Sequence, residues 1–150
     1  MKRSYFIVVP AVIAIVCWVI HECGDLNYFV DYAGTLLIIA LPLLMAMATY
    51  SPAEIVECFA VAFRKEGADP AMIEKGIHFF SLLRKYLIVT ALLTFMIGFV
   101  LIMATLEDLS GFGPKWAIAA LCIYYALFLM LLVTIPFKAG LEKKKIEMNR

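Results

Sequence analysis

Four uninterrupted apolar runs limit what this chain can fold into more than any other feature. Residues 5–20, 33–50, 86–106 and 116–137 contain no Asp, Glu, Lys, Arg or His. Each run is about 16–22 residues long, close to what an α-helix rising 1.5 Å per residue needs to cross ~30 Å of hydrocarbon. A buried helix of a water-soluble protein is shorter and carries a polar face. Composition points the same way: 65% of the 150 residues are hydrophobic and 17% charged, against about half and a quarter in an ordinary soluble domain. Tyr5, Trp18, Tyr32, Tyr50, Tyr86 and Trp116 stand near the run ends, where amphipathic rings favour the membrane–water boundary. Lys2 and Arg3 before the first run resemble the start of a signal peptide. The run gives way to His21-Glu22-Cys23-Gly24-Asp25 and not to a small-residue cleavage site, so the sequence predicts a retained helix. The expected fold is an all-α membrane protein with four transmembrane helices.

Basic residues give the orientation. Lys2 and Arg3 precede the first run, Arg64, Lys65, Lys75, Arg84 and Lys85 lie between the second and third, and Lys138, Lys143, Lys144, Lys145 and Arg150 come after the fourth. The first connection has no Lys or Arg, and the third has only Lys115, beside Glu107 and Asp108. Cytoplasmic segments are enriched in Lys and Arg, so both termini and residues 51–85 are expected in the cytoplasm of a bacterial cell with the chain in its inner membrane. The net charge of +1 and the absence of a basic–aromatic patch give no reason to expect a nucleic-acid partner.

The chain reads as one membrane domain over residues 1–150. Pro10 and Pro42 fall inside the first two runs and are expected to kink those helices without ending them. Ser51-Pro52 reads as a cap and first helical residue. Ile55, Val56, Phe59, Ala60 and Phe63 then recur at helical spacing, which predicts an amphipathic extension of the second helix. Residues 66–70 read as a turn, with Asp69 as N-cap and Pro70 behind it. A second amphipathic helix over 71–85 displays Ile73, Ile77, Phe80 and Leu83 and runs into the third span. Residues 51–85 are thus expected to form a short cytoplasmic helical hairpin. Gly111 and Gly113-Pro114 are expected to turn the outer connection 107–115, and the basic tail 138–150 to continue the fourth helix.

An ionisable residue inside a span is a functional candidate by default, and these runs have none. Thr35, Thr49, Thr90, Thr94 and Thr134 are expected to bond back to their own helices. Tyr124 and Tyr125 lie deep enough to need interhelical partners. Cys17, Cys23, Cys58 and Cys122 are scattered, and neither His21 nor His78 has a second ligand at metal spacing, so no disulfide framework and no metal site is expected. No nucleophile motif, phosphate loop or catalytic constellation is visible, which points away from an enzyme or a cofactor-binding protein. Gly98, Ala119 and Ala126, with Ala104, Ala117 and Ala120, are small residues at which helices of neighbouring copies are expected to approach closely.

Several short motifs in order resemble the MotA/TolQ/ExbB family, and its MotA branch most. Phe29-Val30-Asp31 before Leu36-Leu37-Ile38-Ile39 is similar to the start of that branch's second helix, and Ser51-Pro52 with Ala62-Phe63-Arg64 to its cytoplasmic exit. Gly98, Leu106-Glu107-Asp108, Ser110 and Gly113-Pro114 resemble the end of its third helix and outer turn, and Tyr125 with the spacing from Pro136 to Leu141 its fourth helix. The resemblance implies a homo-oligomer, a pentamer, around a dimer of single-span partners of the MotB/TolR/ExbD type. The partner's aspartate takes and releases the ion, and the third and fourth helices line its path. The family's pore positions fall on Phe95, Cys122 and Ile123, where threonines are usual. Thr94 is adjacent but about 100° around the helix, and with Tyr125 it is a candidate pore or interhelical polar group. The resemblance implies an ion-channel or stator subunit that couples ion flow to mechanical work. The lost threonines set beside it a structural or assembly membrane protein of the same architecture without conduction.

Overall fold

The computed structural model describes residues 5–24, 29–64, 69–105 and 112–148. No strand occurs among the described residues. The helices are α1 (Tyr5–Cys23), α2 (Tyr32–Met47), α3 (Pro52–Phe63), α4 (Pro70–Ala104), α5 (Phe112–Leu129) and α6 (Ile135–Met148), with a π-helical segment, Met130–Thr134, joining the last two. Three helical stretches are long and apolar enough to cross a membrane: Tyr5–Glu22, Pro70–Ala104 and Phe112–Met148. The pair α2 and α3 makes a fourth if taken as one broken span. Pro10 and Pro42 sit inside α1 and α2 without ending them.

The extension of the second helix expected past residue 50 does not occur: α3 is bent by 107° from α2. The cause is local. Pro52 has no N–H, and its ring disfavours helical geometry at the preceding residue; Ser51 accordingly takes φ −67°, ψ 154°. The chain restarts there through a capping box. The Glu54 N–H donates to Ser51 Oγ at 3.3 Å, and the Ser51 N–H donates to Glu54 Oε2 at 2.7 Å. Asp69 caps α4 by accepting from the Ala71 N–H at 3.2 Å, with Pro70 at the first helical position. α4 then runs unbroken for 35 residues, about 52 Å, so the expected cytoplasmic helix and third span are one rod. The turn expected at 66–70 and the outer connection lie largely outside the described residues. Gly113-Pro114, expected in that outer turn, instead belongs to the first turn of α5, where proline's missing N–H is no loss.

α5, the π-helical segment and α6 make one helical run, so the basic tail does continue the fourth apolar stretch. Pro136 has no N–H to give to the Leu132 carbonyl four residues back. The Tyr5 hydroxyl of α1 donates to that carbonyl at 2.6 Å, and the Tyr5 ring meets Phe137 edge-on at 5.6 Å. Elsewhere α1 lies lightly on the bundle. None of its described residues is fully buried, and Val9, Val12, Val16 and Ile20 form a half-buried stripe.

The core follows α4. Ile38 and Ala46 of α2, Leu83, Leu87 and Ala91 of α4, and Cys122, Ala126 and Met130 of the last helical run are buried in one cluster. Ile88, Val89, Leu92, Leu93, Met96 and Val100 stay exposed along the other side of α4. A water-soluble monomer rarely exposes so continuous an apolar surface, and a multi-pass membrane protein presents one to lipid.

At the end of the bundle where α3 lies, Phe59 meets Phe79, Phe80 and Phe137 edge-on at 5.9, 5.2 and 5.6 Å. Edge-to-face pairs add about 0.5–1.5 kcal/mol each beyond area burial. The expected apolar face of α3 is rotated from the one that packs. Cys58, Val61 and Ala62 are buried, whereas Val56, Ala60 and Phe63 remain exposed. α6 closes the far end of α3: Lys144 donates to the carbonyls of Val61 at 2.8 Å, Ala62 at 3.2 Å and Arg64. These carbonyls stand at a helix terminus, where the cation suits the dipole.

Glu54 joins α3 to α4 through an ion pair with Lys75. The Lys75 ammonium, followed by the Ser51 N–H, holds the Glu54 carboxyl down at about 2 from an ordinary 4.5. A carboxyl depressed in the folded state contributes stability that is present above its ordinary value and is lost as pH falls through the folded one. Amide protection over residues 52–63, corrected for the intrinsic pH dependence of exchange, should therefore decline between pH 4.5 and about 2. Glu54→Gln should show the reduced protection already at neutral pH. Full protection at pH 2 in the parent chain would contradict this role.

Candidate functional site

A cavity of about 300 Å³ lies between the start of α2, the second half of α4 and the first half of α5. Asp31 and Lys115 are its charged residues, and Leu37, Ile97, Leu101, Ile102 and Ile118 supply apolar wall. Thr94, Gly98, Ala119 and Cys122, all singled out from sequence, line it too. A smaller cavity of about 180 Å³, walled by Ile38, Pro42, Leu83, Leu87 and Val133 among others, is almost wholly apolar.

Asp31 organises the larger cavity. Its carboxylate caps α2 by accepting from the N–H groups of Ala33 and Gly34, both at 3.1 Å, and its carbonyl accepts from the Thr35 hydroxyl at 2.6 Å. The Asp31 N–H donates to the Tyr125 hydroxyl at 2.9 Å, and that hydroxyl donates to the Phe29 carbonyl at 2.6 Å. Tyr125 thus fastens the start of α2 to α5. Lys115 donates to the Thr105 carbonyl at 3.4 Å, at the end of α4.

Two glycines set the spacing. A Cβ at position 34 would lie 2.3 Å from Asp31 Oδ2 and 3.0 Å from Cys122 Sγ. Glycine there lets the capping carboxylate fold back and lets α2 approach α5. A Cβ at position 98 would lie 3.1 Å from Ala119 Cβ, so Gly98 and Ala119 bring α4 and α5 together within one chain. Ala119 and Ala126 are buried in the single chain. Among the other small residues named from the sequence, Ala104 and Ala117 are exposed.

The positions matched to the family's pore divide. Phe95 is half-buried and meets Trp116 edge-on at 5.2 Å, and Trp116 is further held by Phe99 and stacked on Phe112. Cys122 is buried, facing Gly34. Ile123 is half-buried. Thr94 is buried on the α2 side, and its Oγ1, sealed from solvent, has no hydrogen-bond partner among the described residues. The expected back-bond is made by Thr35 and, at 3.4 Å, by Thr134, but not by Thr94.

No group of three or more His, Cys, Asp or Glu able to share a metal ion occurs among the described residues. Cys17, Cys58 and Cys122 are free thiols, and His21 and His78 are exposed on their helices. Asp31, Gly34 and Trp116 belong to the site without standing out in the sequence as site residues. Asp31 carried a usable signal, a capping residue directly before a small-residue helix start. The partnering of Trp116 with Phe95, 21 positions away, had none.

No protein-family model matches this chain, and no curated protein is recognisably similar to it.

Proposed function

We propose that this chain is a structural or assembly subunit of a bacterial inner membrane, MotA-like in layout, that does not itself conduct ions. It has four spans, with both ends and α3 on the cytoplasmic side, and it associates with further copies of itself, as a pentamer in the family's manner. The Lys and Arg distribution supports the orientation. The observation that carries the functional reading is the packing of Phe95 against Trp116 and of Cys122 against α2. Two of the three positions that would line an ion path are engaged inside the chain. The apolar runs hold no Asp, Glu, Lys, Arg or His, and the one carboxylate among the described residues at the cavity, Asp31, is bound as a helix cap. A bare ion crossing such a surface loses its hydration without replacement, at a cost of several kcal/mol or more.

The second reading is the motor: the same subunit around a single-span partner that supplies the carboxylate. The unbroken α4 and its close pairing with α5 at Gly98 favour it, because these are the helices that the family resemblance assigns to the path. Proton and sodium flux into liposomes separates the two. The chain alone should leak no faster than empty vesicles, and flux from it alone would overturn the proposal. Several-fold faster flux on adding a carboxylate-bearing single-span partner would select the motor. Silence with that partner bound supports the structural role.

A further inference from the structure

α3 has three faces, and only one of them is fully covered among the described residues. Cys58, Val61 and Ala62 pack inward. Glu57 and Arg64 are exposed on a polar flank. Val56 is 68% exposed and Phe63 43% exposed, and Ala60 beside them is exposed as well. At about 100° per residue, Phe59, Phe63, Val56 and Ala60 fall in one sector about 100° wide. That sector borders the polar flank on its Ala60 side, and nothing described covers its outer part.

The direction of this apolar sector follows from its neighbours. The Phe63 ring lies 6.0 Å from Phe6 and 5.0 Å from Phe137. Phe6 is the second residue of α1, and Phe137 comes directly after Pro136 at the end of the fourth apolar run. Phe59, on the same side, touches Phe79 and Phe80 of α4. Glu54, well around the helix, pairs with Lys75, about one turn further from the apolar part of α4. The apolar flank thus points toward the spans and the acidic residues away from them. The 107° bend from α2 lays α3 nearly at right angles to that helix, across the end of the bundle. Arg84 and Lys85 are exposed on α4 just before its apolar stretch.

We infer that α3 is an interfacial helix whose Val56, Ala60 and Phe63 are seated in the acyl–headgroup boundary of the phospholipid bilayer, with Glu57 and Arg64 in water. A helix with a narrow apolar flank and a charged flank lies in this plane and gains from each apolar side chain it inserts. The bilayer, and not a partner protein, is the occupant that the geometry fits, because the uncovered flank continues the apolar surface of the spans and ends where the charges begin. The inference rests on α1, α4 and the α5–α6 run crossing the membrane. It is independent of whether ions are conducted.

Depth-dependent fluorescence quenching tests it. In a full-length chain with Trp18→Phe and Trp116→Phe, single tryptophans are placed by Val56→Trp, Ala60→Trp, Glu57→Trp or Leu92→Trp. Each protein is reconstituted into phosphatidylcholine–phosphatidylglycerol vesicles, with or without bromine on the acyl chains. Leu92→Trp, on the exposed side of α4, reports whether that helix is in the bilayer at all. Val56→Trp and Ala60→Trp should be quenched by brominated lipid at least about twofold more than Glu57→Trp, and aqueous iodide should show the reverse order. Val56→Trp and Ala60→Trp as open to iodide as Glu57→Trp would make α3 a water-exposed arm and overturn the inference. Insensitivity to both quenchers would mean that another protein surface covers the flank, and would overturn it too. Failure at Leu92→Trp would remove the spanning reading itself.

Discussion

Gly98→Leu is expected to force α4 and α5 apart and to cost about 2–3 kcal/mol or more of stability, the scale of overpacking in a filled interior. The obstacle has no rotamer to move into: a Cβ at 98 would already lie 3.1 Å from Ala119 Cβ, with Ala119 Cα at 3.6 Å behind it. A leucine adds three more carbons in that direction. Inside a bilayer the loss is not offset by hydrophobic association, because lipid tails are as apolar as the helices, and close van der Waals contact is what holds them. Gly98→Ala needs a shift of only a few tenths of an ångström and should cost under about 1 kcal/mol. Thermal melts of the two variants and the parent in one detergent would rank them. A Gly98→Leu protein that melts with the parent would show that this approach does not hold the bundle together.

The second large effect belongs to Tyr125. Its hydroxyl bridges the Asp31 N–H and the Phe29 carbonyl, so Tyr125→Phe removes a donor and an acceptor with almost no change in shape. Hydrogen bonds between helices in membranes contribute about 0.6 kcal/mol on average and up to about 1.7. Two such bonds lost together, with the start of α2 released, should cost about 1–2 kcal/mol. The change should be local: amide exchange should quicken at residues 31–35 and stay unchanged over 70–90. Faster exchange throughout the chain would mean that Tyr125 supports the whole bundle and not one joint.

These two residues show which parts of the site were legible beforehand. The apolar runs were readable because a helix in hydrocarbon must be apolar all round and long enough to cross, and that requirement leaves little freedom in the sequence. The caps at Ser51 and Asp69 were readable because orphan N–H groups need a short side-chain acceptor next to a proline-started helix. The bend after α2 was carried by the same Ser51-Pro52 pair that signals a cap. Helical spacing on either side looks identical whether the axis continues or turns, so periodicity could not expose the break. The rotated face of α3 escaped for a related reason. An apolar stripe records contact with something apolar, and protein core and lipid leave the same mark. The closing of Phe95 by Trp116 and of Gly34 by Cys122 depends on helix rotation in three dimensions, which no spacing along one helix encodes.

The bond from Tyr5 to Leu132 has a consequence for where the first helix sits. A carbonyl vacated by proline in a hydrocarbon setting has no water to turn to, so it acts as a docking notch at one fixed height. α1 reaches that notch with a single hydroxyl, and beyond the ring contacts of Tyr5 and Phe6 its described length offers the bundle only a half-buried aliphatic stripe. Sliding α1 by one helical turn, about 5.4 Å, would keep much of such a repetitive stripe in contact yet break the bond. Pro136 therefore acts as a depth gauge: the register of α1 against the last helical run is set by a residue far away in the sequence.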